Sequence, residues 1–155
     1  MTAPAASIYV TSLDEVLWGA FLIALTMAIH GVGVIVTLRA GGTVRHWQSG
    51  HGSFLSGIRT LVVATWILVV VHLLEVQVWA TFFWLKDAFG NASTAFYYAL
   101  MQYTTVSSEF HLPERLRLLG GMIAMAGLLT FAWSTSVLLI LAREFQETAS
   151  RHHGE

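Results

Sequence analysis

The chain has 155 residues, 55% of them hydrophobic and only 11% charged, with a net charge of −1. So little charge cannot cover a water-soluble domain of this length, which points to lipid as the solvent, and the near-neutral balance argues against a nucleic-acid partner. The lack of cysteine excludes disulfides and thiolate metal sites and leaves the redox compartment open.

The N-terminal MTAPAAS has no basic residue ahead of the first apolar run, Val16 to Leu38. That run is too long for a signal-peptide core, so a retained span is expected. A loop follows, with Gly41, Gly42, Gly50 and Gly52 expected to make it flexible. A second run, from about Leu61 to Leu85, and a third, from about Leu116 to Ala142, also reach the roughly 20 residues a bilayer crossing needs. All three are expected as helices, because lipid offers no partners for backbone amides outside helices and closed barrels.

Between the second and third runs, Phe89 to Leu112 is apolar and aromatic but too interrupted to cross. Gly90 is expected to break the preceding helix, and Asn91 or Ser93 to cap a new one. The reading is a short re-entrant helix from Ala92 to about Tyr103, then irregular chain. Irregular backbone at membrane depth requires surrounding protein or a water-filled cavity, hence an oligomer. The expected fold is an all-α membrane protein with three transmembrane helices and a re-entrant helix. No second domain or repeat is evident.

Orientation follows arginine and lysine at the span ends. The first loop carries Arg39, Arg45 and Arg59 with His46 and His51, and the tail Arg143 and Arg151. The N-terminus and the re-entrant region hold Asp14, Glu15, Asp87, Glu109 and Glu114, offset by Lys86, Arg115 and Arg117. The bias favours an outside N-terminus and a cytoplasmic first loop and C-terminus. Trp18 and Trp84 suit the membrane interfaces.

Ionisable groups inside spans are costly and suggest function. They are His30 in the first span and His72 with Glu75, three residues apart on one face, in the second. One reading is a hydrogen-bonded His–Glu pair tying the second span to its neighbours. The other is a metal or proton site made by His30, His72 and Glu75, since histidine and carboxylate suit Zn²⁺ or similar ions. Gly120, Ala124 and Gly127 form a small-residue stripe that allows close helix approach on the third span. Ser134 and Ser136 read as hydroxyls bonded back along their helix. The spans show no nucleophile–base constellation, so an enzyme is not expected.

The order outer helix, short helix, YTTV and inner helix resembles the pore module of the tetrameric potassium-channel superfamily, most of all its small bacterial ion-channel members with an extra N-terminal helix. HLLEVQVWA (His72 to Ala80) resembles their outer helix, AFYYALMQYTTV (Ala95 to Val106) their pore helix and filter approach, and GLLTFAWSTS (Gly127 to Ser136) their inner helix. The resemblance implies an N-terminal helix and cytoplasmic loop over 1–60, a pore module over 61–142 and a short cytoplasmic tail over 143–155. It further implies a homotetramer in a bacterial inner membrane, and Gly127 at the gating hinge.

The filter itself departs from the family, because Ser107, Ser108 and Glu109 stand where glycine, tyrosine and glycine are usual. Potassium filters aim successive carbonyls inward, which takes left-handed backbone at alternate residues. A side chain there costs about 1–2 kcal/mol in each subunit. The expectation is therefore a cation channel with a non-standard filter, Thr104, Thr105, Val106, Ser107, Ser108 and Glu109, weakly selective or selective for divalent ions. Its cofactor would be no more than a monovalent or divalent cation in the pore. A ring of Glu109, joined by His111, could hold such an ion. A Glu109 paired sideways with Arg115 or Arg117 is the plainer alternative. The competing expectation is a channel-fold scaffold or sensor that does not conduct, with Phe110 or Met101 filling the axis.

Overall fold

The computed structural model describes residues 10–47 and 54–151, with side chains over 10–42 and 57–146. Four α-helices and a 3₁₀ turn follow one another: α1 (Leu13–Trp47), α2 (Phe54–Leu85), α3 (Ala92–Tyr103), the turn Glu114–Leu116 and α4 (Leu118–Arg151). Three helices are long and apolar enough to cross a membrane. They run past the expected spans at most ends, since an apolar window marks only the lipid-embedded part of a helix. Gly41 and Gly42 lie inside α1 and not in a flexible loop, because glycine costs a helix only about 1 kcal/mol when the flanking turns are stable. Gly50, Gly52, His51, His152 and His153 lie outside the described residues, as do the side chains of Arg45, His46 and Arg151.

Caps set the ends of the elements. Ser12 and Glu15 form a capping box: the Ser12 hydroxyl accepts from the Glu15 amide at 3.2 Å, and the Glu15 carboxylate accepts from the Ser12 amide at 3.2 Å. The other Glu15 oxygen accepts from the Leu118 amide at 3.1 Å, so one buried carboxylate serves the N-termini of α1 and α4. At the end of α2 the Ala88 amide donates to the Phe83 carbonyl and the Asp87 amide to that of Trp84. This closes a Schellman motif with Asp87 in the left-handed region at φ 51°. The break expected at Gly90 is thus made three residues earlier, by an aspartate. Asn91 caps α3 as expected, its side chain accepting from the Thr94 amide at 2.8 Å.

Contacts at the two ends fix the helix directions. Glu15 joins the starts of α1 and α4, while Lys86, just past α2, lies 4.5 Å from the Trp18 ring and accepts from Arg115 through its carbonyl at 2.7 Å. Therefore α1 and α4 run parallel and α2 antiparallel to both. α3 is wedged between α2 and α4 by Ala95, Tyr98, Ala99 and Tyr103, its buried stripe. These pack with Trp79, Phe83, Leu119, Ile123 and Ala126 into the main core. Gly120 and Gly127 admit this wedge: a Cβ on Gly120 would stand 2.9 Å from the Tyr98 hydroxyl, and one on Gly127 would collide with the Tyr103 carbonyl. The buried small residue beside them is Ala126, not Ala124.

The path between α2 and α4 goes in and comes back. Tyr103, at the end of α3, meets Glu75, which lies ten residues, or about 15 Å at 1.5 Å per residue, before the end of α2. Arg115 then returns the chain to Lys86 at that end.

Candidate functional site

Midway along the bundle, six polar side chains from all four helices meet. His30 comes from α1, His72 and Glu75 from α2, Tyr103 from α3, and Thr130 and Ser134 from α4. His30, Glu75 and Thr130 are fully buried, and Tyr103 and Ser134 nearly so. Nδ1 of His30 lies 2.9 Å from Oε1 of Glu75, and the Tyr103 hydroxyl donates to Oε2. The same hydroxyl is 2.5 Å from Thr130 Oγ1 and 2.9 Å from His72 Nδ1. His72 Nδ1 also stands 3.3 Å from Glu75 Oε2. Ser134 Oγ faces Nε2 of both histidines, at 3.0 Å from His72 and 3.3 Å from His30. No buried side-chain nitrogen or oxygen among the described residues lacks a partner, which is what keeps such a cluster affordable in an apolar bundle.

The three residues singled out in the sequence are thus brought together, with the two imidazole centroids 5.3 Å apart. The principal His–Glu hydrogen bond joins α1 to α2 through His30. His72, one turn from Glu75, directs its nitrogens chiefly to Tyr103 and Ser134. Three members carry no site signal in the sequence: Tyr103 reads there only as the end of a helix, Thr130 has no assigned role, and Ser134 reads as bonded along its own helix. Ser136 does bond back, to the Ala132 carbonyl at 3.0 Å, whereas Ser134 turns inward to the histidines. The spans therefore do hold one hydroxyl–imidazole–carboxylate constellation, the hydrogen-bonded chain Ser134–His30–Glu75, contrary to the expectation from the sequence. Its hydroxyl is buried between two imidazoles that both point at it.

The second set of candidates follows Tyr103. The Thr104 hydroxyl donates to the Leu100 carbonyl at 2.9 Å and finishes α3. Thr105 adopts φ 61°, a left-handed conformation that strains a β-branched residue. Thr105, Val106, Ser107, Glu109 and His111 are exposed, whereas Ser108 is buried and its hydroxyl accepts from the Phe110 amide at 3.1 Å. Ser108 therefore folds the segment and does not line its outer face. Phe110 leans on Phe89 and Tyr97 of its own chain, with centroids at 6.4 and 6.0 Å. Arg115 is committed to the Lys86 carbonyl. Gly127, the expected hinge, lies within the continuous α4 and is the point where Tyr103 backs onto that helix. Compared with known proteins, the chain matches no family model, no curated protein and no solved structure.

Proposed function

We propose that the protein is the subunit of a potassium-channel-like cation channel, a homotetramer of the bacterial inner membrane with its N-terminus outside. In this reading α3 is a re-entrant pore helix, and Thr104 to Glu109 form a filter of non-standard geometry. The observation that carries it is the path after α2: in to the level of Glu75, back to Lys86, and exposed over Thr105 to Ser107 in between. Exposed irregular backbone at that depth needs protein or water around it, which a ring of subunits about an aqueous axis supplies. The C-terminal end of α3 then aims its negative dipole at the axis and favours a cation there.

Selectivity follows from the backbone. Among the described residues outside glycine, only Asp87 and Thr105 have positive φ, so Ser107 and Glu109 do not supply the alternating left-handed geometry of a carbonyl ladder. The exposed Glu109 carboxylates, four in the ring, would instead set a weak or divalent preference. The chain's lack of cysteine makes a clean test available. Ser107→Cys protein reconstituted in planar bilayers should carry current that a water-soluble thiol reagent blocks, while the wild type is insensitive. A modified Ser107→Cys tetramer with undiminished current would remove Ser107 from the path.

A further inference from the structure

We propose that His30, His72 and Glu75 form a binding site for one divalent transition-metal ion of the Zn²⁺ type, with the Tyr103 oxygen beside it. The proposal is independent of whether the pore conducts. Three observations carry it.

The first is geometry. One donor atom from each of the three residues lies within 4.8 Å of the others, against about 3.4 Å between ligands of a tetrahedral Zn²⁺. The imidazole centroids are 5.3 Å apart, close to the roughly 5 Å expected of two histidines on one tetrahedral ion. The Nδ1 atoms of His30 and His72 already stand 2.9 and 3.3 Å from oxygens of Glu75. His72 can close the rest of the gap, its side chain being 13% exposed while His30 and Glu75 are closed off.

The second is the count of protons. Two neutral imidazoles and three hydroxyls bring five hydrogens. These must serve seven contacts: His30 to Glu75, Tyr103 to Glu75, Tyr103 to Thr130, His72 to Tyr103, both histidines to Ser134, and Thr130 to its own helix. With both imidazoles neutral, two of these contacts go without a hydrogen. A cation among the two Nδ1 atoms and Glu75 would take over the contacts that meet there and leave each imidazole one N–H, on Nε2.

The third is the outer contact. Both Nε2 atoms face Ser134 Oγ, whose two lone pairs can accept both N–H groups. A metal-bound histidine characteristically donates its other nitrogen in this way, which fixes its tautomer and orientation. The donor set of two imidazoles and one carboxylate suits zinc and leaves a fourth position toward Tyr103.

The test uses full-length protein purified in detergent without a histidine tag, loaded with Zn²⁺ or Co²⁺ and freed of excess ion. The chain has seven histidines; replacing His46, His51, His111, His152 and His153 with glutamine removes the others as adventitious ligands. That variant and the wild type should each retain one Zn²⁺ per chain, and Glu75→Gln at least tenfold less. The Co²⁺ form of the wild type should show the intense visible bands of a four-coordinate ion, a reading that needs no variant to fold. Zinc retention equal in wild type and Glu75→Gln, or only the weak bands of six-coordinate Co²⁺, would overturn the proposal.

Discussion

At the scale of single residues, Tyr103 has the most to do. Its ring fills the main core, its hydroxyl serves Glu75, Thr130 and His72, and its carbonyl sits against Gly127. The residue that ends α3 is therefore held by two helices, α2 and α4, and the strained Thr105 lies two positions later. A Cβ at Gly127 meets backbone, which cannot swing away as a side-chain tip can. Gly127→Ala should cost about 1–3 kcal/mol by overpacking, measured by chemical unfolding in detergent. Gly121→Ala, six residues earlier, where a Cβ meets nothing within 4 Å, should be neutral or slightly stabilising. Equal effects at the two positions would mean that Gly127 is not a packing contact.

At the scale of elements, caps explain what could be read from the sequence and what could not. The limits of α3 were legible because Asn91 is a strong N-cap and precedes a short apolar run. Asn91→Ala should destabilise α3 by about 1 kcal/mol, visible as faster amide exchange over residues 92–96; unchanged exchange would show that packing alone holds the helix. The second run ends at Leu85, as α2 does, but the device that stops the helix is not legible, because Asp87 occupies a backbone region that is usually glycine's and Gly90 is the more conspicuous breaker. The polar cluster was half legible. His30, His72 and Glu75 stand out as ionisable groups in apolar runs. Tyr103, Thr130 and Ser134 do not, since hydroxyls are ordinary in apolar helices and usually bond to their own backbone, as Thr135 and Ser136 do. Which hydroxyls turn inward depends on packing between residues as far apart as His30 and Ser134, and no local spacing encodes that.

At the scale of the whole molecule, α1, α2 and α4 hold a polar centre inside an apolar exterior. Val32, Val36, Trp66, Val70 and Leu128 all face outward, as a lipid-exposed surface requires. The same bundle leaves Thr105 to Ser107 and Glu109 exposed on the chain between α3 and α4. The proposed channel requires that exposed segment to meet its copies around an aqueous axis, with Glu109 setting the charge of the path. The most direct test is the reversal potential of reconstituted protein in planar bilayers under a salt gradient, compared between wild type and Glu109→Gln. Such a channel should give a cation-selective current in the wild type and a reversal potential shifted toward zero in the variant. A purified oligomer that passes no current in any salt, or a reversal potential unchanged by Glu109→Gln, would contradict it.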